Sequence, residues 1–353
     1  MNKVLIVGQG LAGTWLSWWL HEAGVPFRVI DKPESDGASL RAAGLINPVT
    51  GRRMVTTWMI EELLPFAFDS YGAMSNFLED DFIKEITLID LFPSVQMLQA
   101  FQKRLEEDKM YLQSNEHTSK YADWFKYDFG WGSVAPCALV NVEKLLIQWR
   151  IWLKKSELLT ERVFDLSQLK IDASGINYSG DGYSHIIFCD GKSSAQNPFF
   201  EKLPFALNKG EGLLVEIKGL PENLVFKKGM SLVPYRKNIY WLGSSYEWTF
   251  NDDQPSLRFR ESAEFWLKQL LKIPYVILEH FAAIRPATLE RRPFVGFHPS
   301  YPQIGIINGL GTKGCSLAPY FSLQLVNKLT GRGVIHPRAD ISRFEKIMRR
   351  PGS

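Results

Sequence analysis

Cysteine is scarce: Cys137, Cys189 and Cys315 are the only 3 in 353 residues, odd in number, far apart and outside any C-x-x-C pair. That excludes a disulfide framework and a cysteine-held structural zinc, and it implies a reducing compartment. Net charge is nearly absent too. The 41 Lys plus Arg set against 38 Asp plus Glu leave +3, far from the balance of a protein built to wrap nucleic acid. Nothing approaches the ~20 uninterrupted apolar residues of a spanning helix. The opening run Val4-Leu5-Ile6-Val7 is cut by glycine well before the length of a signal-peptide core. The expectation is a cytosolic chain with no cleaved leader and no integral membrane contact. No metal-ligand spacing, Ser-His-Asp set or carboxylate pair rises above chance among 6 scattered histidines and dispersed acids. Internal repeats and low-complexity linkers are missing as well.

What is present is ordinary globular material, 45% apolar and 22% charged, in a chain long enough for two lobes. The start reads strand, glycine turn, helix, strand. Val4 to Val7 is a short run of the kind buried on both faces of a parallel sheet. Leu16, Trp19 and Leu20 give helical spacing over 13–21, closed by Gly24, and 27–30 resumes strand character and ends at Asp31. Residues 55–79 read as an amphipathic helix. The stretch 80–135 reads as β-rich, with Ile83–Leu91 and the aromatics Trp124, Phe125, Tyr127, Phe129 and Trp131.

Further helices are expected at 142–152, at 259–272 with Phe259, Ala263, Trp266, Leu267 and Leu270 on one face, and at 315–329. Strands are expected at 160–172, 183–189, 213–217 and 304–307, and as a hairpin at 231–235 and 239–244 around Arg236-Lys237-Asn238. The two kinds of segment alternate. The expected fold is therefore α/β plus α+β, a Rossmann-like dinucleotide domain interleaved with an antiparallel-sheet substrate domain. The first takes 1–79, 135–205 and 285–353; the second takes 80–134 and 206–284.

Gly8-Gln9-Gly10-Leu11-Ala12-Gly13 is G-x-G-x-x-G between the first strand and its helix. The first glycine makes the turn, the second lets backbone approach a pyrophosphate, and the third lets helix pack on strand. The helix N-terminus offers N–H groups to the phosphates. Asp31 is placed to accept hydrogen bonds from the ribose hydroxyls. These features leave NAD and FAD open. A second glycine turn, Asn308-Gly309-Leu310-Gly311-Thr312-Lys313-Gly314-Cys315-Ser316-Leu317-Ala318-Pro319, lies between a strand and a helix. It allows a flat ring to lie close to the backbone, with a helix N-terminus aimed at the charge of a reduced flavin.

Five separated blocks resemble, in order and spacing, the FAD-dependent amino-acid oxidases, the family of D-amino acid oxidase, sarcosine oxidase and glycine oxidase. They are residues 4–13, Asp31, Ala38-Ser39 with Ala43-Gly44-Leu45-Ile46-Asn47-Pro48, Ile284-Arg285-Pro286-Ala287-Thr288 with Pro293-Phe294-Val295-Gly296, and 308–319. The resemblance implies FAD, with Ser39, Ala43 and Gly44 lining the pyrophosphate and ring, Val163 touching adenine through its backbone, and 311–314 covering the pyrimidine edge. It extends the cofactor set to Leu11, Ala12, Lys32, Asn47, Gly191, Gly309, Thr312 and Lys313. Glycine oxidases resemble the Arg285 stretch as G-L-R-P-x-T, and their arginine grips the substrate carboxylate at two points, as a planar guanidinium does.

Arg285, Lys313 and Tyr246 are thus the candidate catalytic residues, with Tyr235, Tyr246 and Trp248 candidates to roof the pocket. The implied reaction oxidises the C–N bond of an amino acid or N-substituted glycine, with oxygen or a quinone taking the electrons. The last turn departs from several relatives. Its Gly-Leu-Gly-Thr-Lys-Gly resembles the Gly-Leu-Gly-Ser-Arg-Gly of the oxidase domain of the bifunctional tRNA wobble-uridine modification enzyme. A tRNA substrate is therefore an alternative, with Arg41, Arg52, Arg53, Arg291 and Arg292 as phosphate contacts, disfavoured by the small net charge. A non-catalytic flavin-binding protein is the other.

Overall fold

The computed structural model describes residues 3–33, 37–51, 53–107, 110–114, 119–172 and 175–349, without the side chain of Asp172. The apolar run Val4–Val7 is buried throughout and lies parallel to both Phe27–Asp31 and His185–Phe188. Such a strand has no solvent face, which is why it reads as a continuous rather than alternating run. It belongs to a six-stranded sheet ordered Phe294–His298, Tyr301–Asn308, His185–Phe188, Val4–Val7, Phe27–Asp31, Leu159–Glu161. Only the pairing of Phe294–His298 with Tyr301–Asn308 is antiparallel.

Two helices govern one face of this sheet. Helix α1 (Leu11–Glu22) follows the first strand; α2 (Ile60–Leu78), α3 (Val95–Glu107), α4 (Val142–Lys155), α5 (Leu257–Leu270) and α6 (Gly314–Leu329) come later in the chain. Trp19 Nε1 donates to the Pro319 carbonyl at 2.8 Å and ties α1 to α6. Pro319 has no N–H, so the Cys315 carbonyl one turn earlier lacks its helical donor. Tyr71 of α2 fills the gap, its hydroxyl donating to that carbonyl at 3.1 Å. Asn141 and Ser256 cap α4 and α5 through their side chains. Neither α1 nor α6 has a side-chain cap.

The second layer is a nine-stranded sheet. Its order runs Val276–Arg285, Asn208–Glu216, Ile239–Gly243, Met230–Arg236, Leu224–Lys228, Ile83–Leu91, Trp131–Val140, Leu45–Ile46, with Leu112–Ser114 also on Trp131–Val140. All its pairings are antiparallel except Leu224–Lys228 with Ile83–Leu91. Period-2 alternation divides its faces. Leu213, Val215, Leu232, Tyr240 and Leu242 pack under the apolar side of α5 with Phe259, Ala263 and Leu267. Val233, Trp241, Phe281 and Cys137 face the core shared with α1, α2, α4 and α6.

Several elements differ from the sequence reading. Residues 55 and 56 pair with Val49–Thr50 instead of opening a helix, and α2 starts at Ile60. Helix α3 occupies part of the stretch read as β-rich; among its residues Phe101 alone is buried, so its apolar stripe is too thin to register. The expected boundary between 134 and 135 falls inside Trp131–Val140, which pairs along its length with Ile83–Leu91. Among the described residues no helix is long and apolar enough to cross a membrane.

Candidate functional site

The first glycine turn is enforced by contact. Gly8 has φ +98°, and a Cβ there would stand 2.6 Å from the Cys189 carbonyl oxygen. A Cβ on Gly13 would stand 1.9 Å from the Gly8 carbonyl oxygen, so α1 packs on its strand only without a side chain. Gly10 is the N-cap of α1 and carries no acceptor. Ser39 Oγ accepts the Leu11 N–H at 3.1 Å and closes the turn from the 37–44 segment. Gly44 has φ +80°, and a Cβ on it would lie 1.9 Å from the Val140 carbonyl oxygen.

At the outer end of the turn Arg150 gathers four groups. Its Nη1 donates to Gln9 Oε1 at 2.9 Å and to Asp31 Oδ2 at 2.6 Å. Its Nη2 donates to the Lys32 carbonyl at 2.7 Å and to Glu161 Oε1 at 2.9 Å. Asp31 therefore spends one oxygen on the protein. Its other oxygen has no partner among the described residues. Glu161 is the register partner of Asp31, and the Arg162 N–H donates to the Asp31 carbonyl at 2.9 Å. Val163 follows directly and is 73% exposed.

The second glycine turn meets the first. A Cβ on Gly314 would lie 3.1 Å from Leu11 Cδ1. Gly309 and Gly311 both have positive φ, +71° and +54°. The Gly309 N–H donates to Asn308 Oδ1 at 2.8 Å, and Asn308 Nδ2 donates to the Gly191 carbonyl at 2.9 Å and Ser194 Oγ at 2.8 Å. Ser194 in turn donates to Asp190, whose carboxyl burial pushes up to about 6. Gly191, Gly8 and Gly309 are thus held as one assembly. Thr312 is exposed. Lys313 is the N-cap of α6 and offers no side-chain cap; burial pushes its ammonium down to about 8.

Arg285 ends the edge strand of the nine-stranded sheet, paired in register with Asn208. Its Nη1 donates to Asn208 Oδ1 at 2.7 Å and to the Ser245 carbonyl at 3.2 Å. Both acceptors are neutral. The guanidinium lies over Gly210, where a Cβ would stand 1.8 to 2.4 Å from it, and against the Tyr246 ring at 4.9 Å from the centroid. Burial lowers its pKa. The Gly311 N–H donates to the Pro286 carbonyl at 3.1 Å, so the second glycine turn sits directly against this arginine. A desolvated guanidinium without an anion is costly; here Nη2 is left for one.

The other expected residues fall as follows. Tyr246 and Trp248 are 59% and 58% exposed, at the rim beside Arg285. Tyr235 does not join them, which corrects the expectation of a shared roof. It lies at the hairpin end of Met230–Arg236, while Ser231 pairs with Gly243 at the Arg285 end. Its hydroxyl donates to Glu143 Oε2 at 2.9 Å, and with Ala42 and Ala43 it lines a separate cavity of about 290 Å³. Asn47 turns its side chain to the Val49 N–H at 3.0 Å. Arg41 pairs with Glu279 at 2.6 Å, Arg292 lies over Trp58 at 4.2 Å, Arg53 is exposed, and Arg52 lies outside the described residues. Sequence reasoning missed Arg150, Asn208 and Gly210. No local pattern marks the first two, and Gly210 stands in a strand, where a glycine signals close approach of another group.

Two helix N-termini without side-chain caps, two glycine turns closely packed at Gly8, Gly13 and Gly309, an acid with a free oxygen and a desolvated ammonium at the far end fit an extended dinucleotide with a flat ring. Among the described residues no cluster of side chains fits a metal ion. Residues 3–327 match the family model described as DAO, FAD dependent oxidoreductase. Solved structures of similar fold include glycine oxidase from Geobacillus kaustophilus, with 18% identity, a TM-score of 0.78 and 100% of both chains covered. L-proline dehydrogenase from P. horikoshii has 15% identity and a TM-score of 0.77, covering 98% of each chain. Iminodiacetate oxidase from Chelativorans sp. BNC1 has 17% identity and a TM-score of 0.75, covering 97% of this chain and 98% of that one. Likeness at such identities speaks to the fold.

Proposed function

Because the chain belongs to the DAO family of FAD-dependent oxidoreductases, we propose that it oxidises the C–N bond of an amino acid or N-substituted glycine. Bound FAD supplies the two-electron acceptor, and oxygen or a quinone restores it. In this reading the six-stranded sheet with α1 and α6 carries the cofactor, and the nine-stranded sheet presents the substrate groups. Gly8, Gly10, Leu11, Ala12, Gly13 and Ser39 hold the pyrophosphate. Asp31, positioned by Arg150, holds the ribose, and Lys32 and the Val163 backbone border the adenine. Ala43, Gly44, Asn47, Gly191 and 309–314 enclose the flavin end.

The observation that carries the substrate reading is Arg285: a largely desolvated guanidinium with neutral partners only, placed directly against the flavin turn. It anchors the carboxylate through Nη2, and Tyr246 closes over it from the solvent side. That fixes the carbon between amine and carboxylate beside the ring. The C–H bond held there is the one whose hydrogen and electron pair bound FAD would accept; with one proton lost from nitrogen the amine would become an imine. Water then hydrolyses the imine to an oxo acid and the amine. The test is anaerobic mixing of the yellow protein with a panel of amino acids, sarcosine and other N-substituted glycines, read by flavin absorbance. Bleaching by at least one carboxylate amine, and none by its amide, is the expected result. A flavin that no carboxylate amine bleaches refutes the assignment.

A further inference from the structure

In the segment 244–256, between Ile239–Gly243 and α5, Tyr246 and Trp248 stand more than half exposed. Scattered exposed aromatics are ordinary on a protein surface, but these two flank a tied stretch of chain. Glu247 lies between them and pairs its backbone with Lys209, each N–H donating to the other's carbonyl at 2.9 Å. Asn208 Nδ2 donates to the same Glu247 carbonyl at 3.0 Å. Positions two apart along an extended stretch share a face, so Tyr246 and Trp248 stand on one side of this pairing. That side carries Arg285. Its guanidinium lies 4.9 Å from the centroid of the Tyr246 ring, and its Nη1 donates to the Ser245 carbonyl at 3.2 Å.

Two acids of the segment are taken up by the chain. Asp252 pairs at 3.3 Å with Lys209, whose side chain is 5% exposed, and Asp253 pairs with Lys192 at 2.7 Å. Where the segment enters α5, the buried Glu211 carboxylate accepts the Ser256 N–H at 2.6 Å and its hydroxyl at 2.7 Å. The middle and the far end are thereby held, and beside Arg285 the segment presents aromatic surface.

We propose that Tyr246 and Trp248 form a stacking rim for a flat ring on the substrate, so that the site takes carboxylate amines bearing an aromatic ring in preference to glycine or sarcosine. The inference rests on the reading of Arg285 as the carboxylate anchor. Tyr246 touches the guanidinium that holds the carboxylate, so a ring one or two bonds beyond the amine carbon or nitrogen comes within its reach. Offset or edge-on packing of that ring covers apolar surface that a methyl substituent leaves wet. The backbone between the two aromatics is already tied, so little conformational freedom is lost when the ring arrives. A cationic extension gains less here, because Asp252 and Asp253 are already paired.

The experiment titrates oxidised, FAD-loaded protein with acetate and with phenylacetate and reads each dissociation constant from the perturbed flavin spectrum, without turnover. Covering about half of a phenyl ring predicts that phenylacetate binds at least about tenfold more tightly than acetate. Trp248→Ala should lower that ratio at least about fivefold, and Trp248→Phe, which keeps a ring, should restore most of it. Equal affinity for the two acids in the wild type, or an unchanged ratio in Trp248→Ala, overturns the proposal. Anaerobic bleaching then locates the ring. A higher rate with N-benzylglycine than with sarcosine, or with phenylalanine than with alanine, supports the rim and shows whether the ring sits on nitrogen or on the α-carbon; no gain in either pair overturns it. If FAD-loaded protein binds neither acetate nor phenylacetate, the carboxylate reading of Arg285 fails, and the proposal with it.

Discussion

The carboxylate anchor can be probed without removing it. Gly210 supports the Arg285 guanidinium so closely that a Cβ would stand 1.8 Å from Nη2, 2.0 Å from Cζ and 2.4 Å from Nη1. Gly210→Ala therefore leaves the charge in place and pushes it off its seat, while the flexible end of the arginine yields without breaking the strand. Arg285→Ala removes the charge altogether, and Arg285→Lys keeps it but loses the planar fork. Truncating one partner of a desolvated, hydrogen-bonded charge pair costs about 2–5 kcal/mol. That converts to a fall of at least about thirtyfold in kcat/KM for Arg285→Ala. Gly210→Ala and Arg285→Lys should fall between it and the wild type, with FAD content unchanged in all three. The assay is steady-state turnover with the best carboxylate amine from the panel and with its amide. The decisive quantity is the ratio of the two kcat/KM values, which should collapse toward unity in Arg285→Ala. If the wild type treats acid and amide alike, or if the three variants lose thermal stability but keep the ratio, Arg285 is a structural residue and the amino-acid oxidase reading fails.

Gly10→Val should yield a soluble, colourless protein: its side chain grows toward Ser39 Oγ, 3.1 Å from the Cβ position, into the space a pyrophosphate needs. Absorbance at the flavin band checks it, and full FAD content refutes the turn's role. Tyr71→Phe should cost about 1–3 kcal/mol in urea unfolding by stripping the Cys315 carbonyl of the donor that stands in for the missing Pro319 N–H; an unchanged midpoint refutes that. Asp190 carries a pH signature. Its folded pKa of about 6 lies above the ordinary 3.8, so folding takes up a proton between these values and stability from this group falls as pH rises from 4 to 6. By about 1.4 kcal/mol per unit the loss amounts to roughly 3 kcal/mol at neutral pH. Asp190→Asn should accordingly be more stable than the wild type at pH 7 and level with it at pH 4, by urea unfolding at saturating FAD. The opposite ordering at pH 7 sinks the assignment.

The dinucleotide turn and the elements around it were legible because their signals are local. A buried parallel strand, three glycines with separate steric duties and an amphipathic helix all fall within residues 4–24. The final glycine turn and α6 read equally well, the helix beginning at 314 where 315 was expected. Elements defined by distant partners did not. The edge strand Val276–Arg285 went unread because Glu279 and His280 interrupt its alternation and its pairing partner lies at Asn208–Glu216. Arg150 was read simply as one residue of a helix, since the groups it gathers come from three other segments. Asn208 and Gly210 became meaningful only when register laid them under Arg285. The site's charges, Arg285 and Lys313, were visible as residue types. Their lack of anionic partners is a property of the folded chain.

The bare ends of α1 and α6 give the cofactor a second job. The starts of α4 and α5 are closed by Asn141 and Ser256, whereas that of α2, at Met59 in left-handed backbone, has no side-chain cap. At Gly10 Ser39 Oγ meets only the Leu11 N–H, and on the proposed placement FAD would supply the remaining acceptors at both ends. Ligand held by the native but not the unfolded chain stabilises it by mass action, about 2.7 kcal/mol at a hundredfold excess over Kd. In a cell, newly made polypeptide short of FAD would open first where these two helices begin and meet proteases there. On that placement, the amount of folded chain would follow the supply of its cofactor.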